Sequence, residues 1–301
     1  TNKIAPELKN LGMVTDAVWV DKDQDGNIDL FVVGEWMPIT YLKNTGSKFE
    51  NLTSSSNLNE KKGWWSSIIA GDFDHDGDED FIVGNIGKNN KFKPSEEKPL
   101  HIFCNDFDDN GTLDIVLSKL YKNNLVPVRG KECSTAQMPF VSEKFPSYKS
   151  FSESTLDDIY GKEKLDQALH YTANTFQSIY LENKNAEGFQ FHDLPIEAQF
   201  APINAVINED FNNDGYADLL LAGNYFQTEV ETPRYDAGKG LFLAGNGDGT
   251  FTSSIHINES GVLLPLDVKD LKPITLGNNN STLIIVATNN DSIQFLKVNN
   301  R

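Results

Sequence analysis

Cysteine is nearly missing from this 301-residue chain, with only Cys104 and Cys133 present. Two are too few for the disulfide framework of a small secreted scaffold. Cys104 lies in the apolar run LHIFC and Cys133 in the polar run RGKECS. They read as a buried thiol and a loop thiol, or as one disulfide pair. Positive charge is also scarce. Lys and Arg number 26 against 44 Asp and Glu, for a formal charge of −18. A phosphate backbone needs a basic surface, so no nucleic-acid partner is expected. No apolar run approaches the roughly eighteen residues of a spanning helix, so no membrane insertion is expected either. Catalytic signatures are lacking too. There is no H-E-x-x-H, no G-x-S-x-G and no G-x-x-x-x-G-K-[ST]. The histidines, at 75, 101, 170, 192 and 256, show no metal-ligand spacing. The chain opens at Thr1 without Met and shows no signal peptide, as a processed or excised piece would.

What the chain does have is one acidic string written four times. The copies are DKDQDGNID (21–29), DFDHDGDED (72–80), DFDDNGTLD (106–114) and DFNNDGYAD (210–218). Their common form is D-x-[DN]-x-[DN]-G-x-x-D. Carboxylates this dense repel one another unless a cation sits among them. Calcium takes six to eight oxygens at about 2.3–2.6 Å, and alternate side chains of a loop can supply them from positions 1, 3, 5 and 9. Glycine at position 6 permits the sharp turn that lets the position-7 carbonyl contribute. An EF-hand would carry Glu at position 12, where this chain has Val32, Val83, Leu117 and Leu221. Solvated Asp-Gly turns are the ordinary alternative. Four copies at one spacing, each in the same setting, weigh against it. The first two loops carry four carboxylates each and the last two carry three, so the last two are expected to bind more weakly.

The setting is β-structure. AVWV, SIIA, HIFC and NAVIN precede the loops, and LFVVG, FIVG, IVLS and LLLAG follow them. These are strand-length runs bounded by polar turns. A second hairpin pattern recurs at 40–52, 178–194 and 240–254. Two hairpins make the four strands of a propeller blade, and such a blade must stack on neighbours to bury its faces. The fold class expected is all-β, a β-propeller over 1–301 of about five blade-like units, either a small ring or a piece of a larger one. Loop 2 shows no clear second hairpin. A fifth unit has a decayed loop: Asp267 would take position 1, but Lys269 and Leu271 then fall at positions 3 and 5, so no metal is expected there. The opening APELKNLG resembles the stretch after a second hairpin, which places the start at a blade seam with an outermost strand missing.

Residues 119–178 read as a helical insertion within the third unit. Ser154 or Thr155 can cap a first turn, and Leu165, Ala168, Leu169 and Thr172 fall on one helical face. It serves either as packing against the blades or as a partner-binding element. In GWWSS, Trp64 and Trp65 face opposite ways on a strand, so one is core and the other is a candidate ligand platform. His75, at position 4 of its loop, is assigned no role.

D-x-[DN]-x-[DN]-G-x-x-D between strands, followed by apolar-Gly-Asn, resembles the FG-GAP/VCBS repeat of integrin α-subunit propellers. GEWMPITYLKN, NKFKPSEEKPLHIF and VPVRGKECSTAQMPF more closely resemble long bacterial secreted proteins that carry VCBS repeats and often an ASPIC/UnbV domain. The resemblance implies up to four bound Ca2+. The first site would use Asp21, Asp23, Asp25, Asp29 and the Asn27 carbonyl. The second would use Asp72, Asp74, Asp76, Asp80 and the Asp78 carbonyl. Asp106, Asp108, Asn110, Asp114 and the Thr112 carbonyl would form the third. Asp210, Asn212, Asp214, Asp218 and the Tyr216 carbonyl would form the fourth. The function implied is a non-enzymatic, calcium-binding adhesion or scaffold module with a protein or glycan ligand, placed extracellularly, on the cell surface or in the periplasm. The alternative is a glycan-binding propeller or a calcium-dependent carbohydrate-active enzyme of polysaccharide-lyase type.

Overall fold

The computed structural model describes residues 3–229, 231–254, 260–276 and 281–298. It forms two compact units. One is built from the chain up to Lys91 and from Phe176 onward, and the other is Phe92–Thr175. No helix among the described residues is long and apolar enough to cross a membrane.

The first sheet follows the expected order. β1 (Met13–Val20) pairs antiparallel with β2 (Asp29–Pro38), β2 with β3 (Thr40–Asn44), and β3 with β4 (Phe49–Asn51). Loop 1 joins β1 to β2. A short β5 (Lys62–Trp64) pairs with the far end of β2. β1 to β4 make the four strands of a blade, and β5 lies off that order. β6 (Ser67–Gly71) and β7 (Asp80–Gly84) then form the hairpin around loop 2.

The chain next builds the second unit. β8 (Leu100–Asn105) and β9 (Asp114–Tyr121) flank loop 3, with β10 (Asn124–Pro127) beside β9 and β11 (Leu169–Ala173) beside β8. Between β10 and β11 run five short helices: α1 (Lys131–Gln137), α2 (Phe140–Lys144), α3 (Tyr148–Ser152), α4 (Leu156–Tyr160) and α5 (Lys162–Asp166). Thr155 starts α4 through a reciprocal capping box with Asp158. Met138, Val141, Leu156, Ile159 and Leu165 pack onto Phe103, Phe107 and Val116 in this unit's own core.

Only afterwards does the blade begun by β6 and β7 gain its outer strands. β12 (Ile179–Asn183) pairs with β7, and β13 (Phe189–Asp193) pairs with β12. This corrects the expectation for loop 2. Loop 2 does have a second hairpin, at 179–193. The five helices, at 131–166, lie between two strands of the sheet that carries loop 3, and that whole unit, Phe92–Thr175, stands in the chain between β7 and β12. The helical face drawn through Leu169 and Thr172 is also wrong. Past Asp166 the chain turns into β11, where Leu169 pairs with Cys104 and stands exposed. Leu165 of α5 and Ala168 do pack into this unit's core, whereas Leu169 and Thr172 belong to a strand of period two.

The next blade runs β14 (Ile203–Glu209), loop 4, β15 (Asp218–Gly223), β16 (Leu241–Gly245) and β17 (Phe251–Ser254). A three-stranded sheet follows, of β18 (Val268–Leu276), β19 (Ser281–Thr288) and β20 (Gln294–Lys297). Asp267 precedes β18 rather than lying in the β18–β19 turn. Its Oδ2 accepts hydrogen bonds from the Phe226 N–H and the Asn289 amide. It stands before the first strand of this sheet, whereas position 1 of each loop follows the first strand. Residues 277–280, between β18 and β19, lie outside the described residues.

In the first unit the sheets stack face to face because their middle strands are apolar on both sides. Strand geometry sends alternate residues to opposite faces. On β7, Phe81 and Val83 meet Phe31, Val33 and Tyr41 of the first sheet, while Ile82 meets Leu219 and Leu221 of the third. On β15, Leu220 and Ala222 face the other way, onto Val268, Leu271 and Ile284. Burying each such side chain stabilises by roughly 1.5–3 kcal/mol. The inner strands approach so closely that a Cβ on Gly84 would sit 2.1 Å from the Ile203 carbonyl oxygen. Polar side chains tie the same seams. The Ile68 N–H donates to Asp16 Oδ2, and the Asn208 amide donates to the Ala70 carbonyl.

Candidate metal-binding loops

The four acidic strings fold into one backbone form. Position 4 takes a left-handed conformation in each: Gln24 (φ 57°), His75 (φ 61°), Asp109 (φ 60°) and Asn213 (φ 61°). Position 6 does so as well, with φ between 84° and 93° at Gly26, Gly77, Gly111 and Gly215. Glycine suits position 6 because two such residues so close together would strain a side chain. The turn is held by its own acids. The position-1 carboxylate accepts the position-6 N–H in every copy, at 2.9, 3.2, 2.8 and 2.9 Å. The position-5 side chain accepts the position-7 N–H at 2.7–3.1 Å.

These bonds curl the side chains inward. In the first three loops, three carboxylates each bring one oxygen within 4.8 Å of the others. The trios are Asp21, Asp23 and Asp25; Asp72, Asp74 and Asp80; and Asp106, Asp108 and Asp114. Among the described residues loop 4 forms no such trio, since Asn212 takes position 3. Asp29 and Asp76 lie outside the trios of their own loops. All-oxygen donors around a tight turn fit a hard cation. Loop 2 adds a sharper sign. Asp72 Oδ1 and Asp78 Oδ1 are shielded from solvent and accept no hydrogen bond. Leaving a buried carboxylate oxygen unpaired is costly unless a positive charge meets it.

The position-9 aspartate has a second duty that the sequence did not disclose. It staples the loop to the third strand of its blade. Asp80 is fully buried. Its Oδ1 accepts the Asn183 N–H at 2.8 Å, and its Oδ2 accepts the Tyr180 hydroxyl at 2.8 Å. Asp29 repeats this with the Asn44 N–H (2.7 Å) and the Tyr41 hydroxyl (2.9 Å). Asp218 keeps the backbone half, from Gly245 N–H at 3.0 Å, but faces Phe242 where the others face tyrosine. In the second unit, Asp114 accepts from the Phe107 N–H and the Gln137 amide. Burial pushes the Asp80 carboxyl up to about 7, against the hydrogen bonds from Asn183, Tyr180 and Phe73. Burial raises Asp29 and Asp218 as well. A bound cation would favour the charged form of each.

Position 4 is the other residue the sequence misjudged. Gln24 Nε2 of loop 1 donates to the carbonyl of Gly77 in loop 2 at 2.9 Å. His75 Nε2 of loop 2 lies 3.1 Å from the carbonyl of Gly215 in loop 4, and its ring meets Tyr216 edge-on. His75, assigned no role above, is thus a bridge between turns. The tryptophans differ as well. Trp65 is fully buried with its Nε1–H donating to the Met37 carbonyl. Trp64 packs between Trp36 and Phe176. The exposed tryptophan is Trp19 on β1, at 60%. Cys104 and Cys133 are not joined in a disulfide.

The family of FG-GAP-like repeats matches residues 21–83. The chain carries an FG-GAP-like repeat. The matched stretch runs from the first residue of loop 1 to Val83 in β7, one full cycle from loop to loop with loop 2 included. Loops 3 and 4 lie outside it and share its turn by backbone geometry. No curated protein matches the chain.

Proposed function

We propose that the protein is a calcium-binding, non-enzymatic module of propeller-type blades that holds a protein or glycan ligand outside the cytoplasm. FG-GAP-like repeats with a β-sheet-rich fold support a binding or adhesion role. The observation that carries the calcium reading is loop 2. Asp72, Asp74 and Asp80 converge there, and the shielded Asp72 Oδ1 lacks a donor. Calcium would supply the missing positive charge and fix the junction between two strands. Asp72, Asp74, Asp76 and Asp80 would hold it, with the Asp78 carbonyl. Extracellular modules bind calcium at about 10⁻⁴–10⁻³ M, and millimolar calcium would fill such loops.

Isothermal titration of the chelator-stripped protein tests this. Calcium heats that fit at least one site tighter than about 1 mM are expected, with a melting temperature that rises on calcium addition. Absence of both heat and shift would refute the calcium reading and leave the loops as self-bonded turns.

A further inference from the structure

One position on the third strand of each blade faces the loop, and it differs in charge from blade to blade. Leu30 pairs with Leu42, Phe81 with Leu181, and Leu219 with Leu243. One residue further, the position-9 aspartates lie opposite Lys43, Glu182 and Ala244. The three strand ends TYLKN, IYLEN and LFLAG are therefore equivalent, and the residue before the last decides what each loop meets.

In the first blade that residue is a cation. The Lys43 ammonium forms an ion pair with Asp23 and lies 3.4 Å from Asp25 Oδ2. Those are positions 3 and 5 of loop 1, two of the oxygens a divalent ion would need. In the second blade Glu182 is 12% exposed and is held by Lys184 and by His192 Nε2 at 2.8 Å. It adds a carboxylate near Asp74 rather than removing one. Ala244 in the third brings nothing. Among the described residues Asp74, Asp76 and Asp214 form no ion pair. Lys164, in the second unit, reaches Asp109 at position 4 of loop 3 and not a metal-ligand position.

We infer that Lys43 is a tethered counter-ion that weakens loop 1 toward divalent cations, so that loop 2 outranks it although both carry four carboxylates. The inference rests on the calcium reading above. A side chain attached eighteen residues after position 5 is held near the loop at high effective concentration. A divalent ion must either displace it and lose that ion pair, or accept a positive charge within a few ångströms. Counting carboxylates ranks loops 1 and 2 as equals. Counting the cation paired directly with positions 3 and 5 places loop 1 one unit behind.

The test uses terbium as a calcium substitute and Trp19, two residues before Asp21, as its local sensitiser. The full chain is titrated as wild type, Lys43→Met and Lys43→Arg, with Trp19→Phe confirming that the sensitised signal comes from loop 1. Lys43→Met is expected to tighten the sensitised component about tenfold, and Lys43→Arg to leave it weak. Calorimetry with calcium should show the other loops unchanged. A Lys43→Met affinity within twofold of wild type, with the other loops binding, overturns this inference and spares the calcium reading. Silence at every loop in both proteins overturns both. Lys43 is partly exposed at a strand end, so the substitution leaves the core intact. Melting curves in chelator check that the variants fold alike.

Discussion

Deleting one oxygen atom, through Tyr180→Phe, isolates the staple between loop and blade. Tyr180 is buried, and its hydroxyl donates to Asp80 Oδ2 at 2.8 Å. Phenylalanine keeps the ring and its packing against Phe73. Asp80 Oδ2 would retain only the Phe73 N–H at 3.4 Å. A hydrogen bond to a charged acceptor contributes about 1.5–3 kcal/mol and one to a neutral acceptor about 1 kcal/mol. Burial pushes the Asp80 carboxyl up to about 7, so a loss of about 1.5–2 kcal/mol, between those two cases, is expected at pH 7.5 in chelator. For a body of this size that lowers the melting temperature by roughly 3–8 °C. The assay is urea unfolding followed by tryptophan fluorescence, with the midpoint converted at a common slope. Tyr41→Phe in the first blade removes the matching 2.9 Å bond to Asp29 and should cost a similar amount. If both variants unfold within about 0.3 kcal/mol of wild type, the position-9 aspartates are not stapled through tyrosine and that reasoning fails.

Gly84→Ala should disrupt the seam between the second and third sheets, because its Cβ would lie 2.1 Å from a backbone oxygen that has no room to yield. A loss above about 3 kcal/mol or a failure to fold is expected, and near-wild-type stability would show that the inner strands separate easily. His101 gives a pH dependence. Burial, then the neighbouring His170, hold its imidazole down at about 4. A base whose folded pKa lies below its unfolded value contributes stability that is complete above about pH 6.5 and is lost as pH falls toward 4. After discounting for partial exposure, the loss is on the order of 1–2 kcal/mol. His101→Gln should flatten the stability profile between pH 6.5 and 4.5, and an unchanged slope in denaturant titrations would contradict it.

Much of this architecture could be read from the chain because its signals are local. Loop spacing, the apolar runs on either side and the Asn/Gly turns are each contained within a few residues, and each became the expected element. Strand partners are not local. β12 pairs with β7 across the ninety-odd intervening residues, and nothing in the hairpin at 179–193 states which inner pair it completes. The same limit hid the site's supporting residues. Tyr41, Tyr180, Lys43 and Glu182 look like ordinary strand positions until pairing sets Lys43 and Glu182 opposite Asp29 and Asp80 and brings the two tyrosine hydroxyls onto those carboxylates. His75 has no visible role within its own turn because its partner, the Gly215 carbonyl, belongs to another blade.

The bridge made by position 4 has a mechanical outcome. Gln24 grips the Gly77 carbonyl and His75 reaches the Gly215 carbonyl, so three turns from three blades are strung together through the peptide groups that bend most sharply. Each grip lands one residue before the carbonyl that would face an ion. A shift in any one turn would therefore reach the next through a single hydrogen bond, as slack passes along a cord.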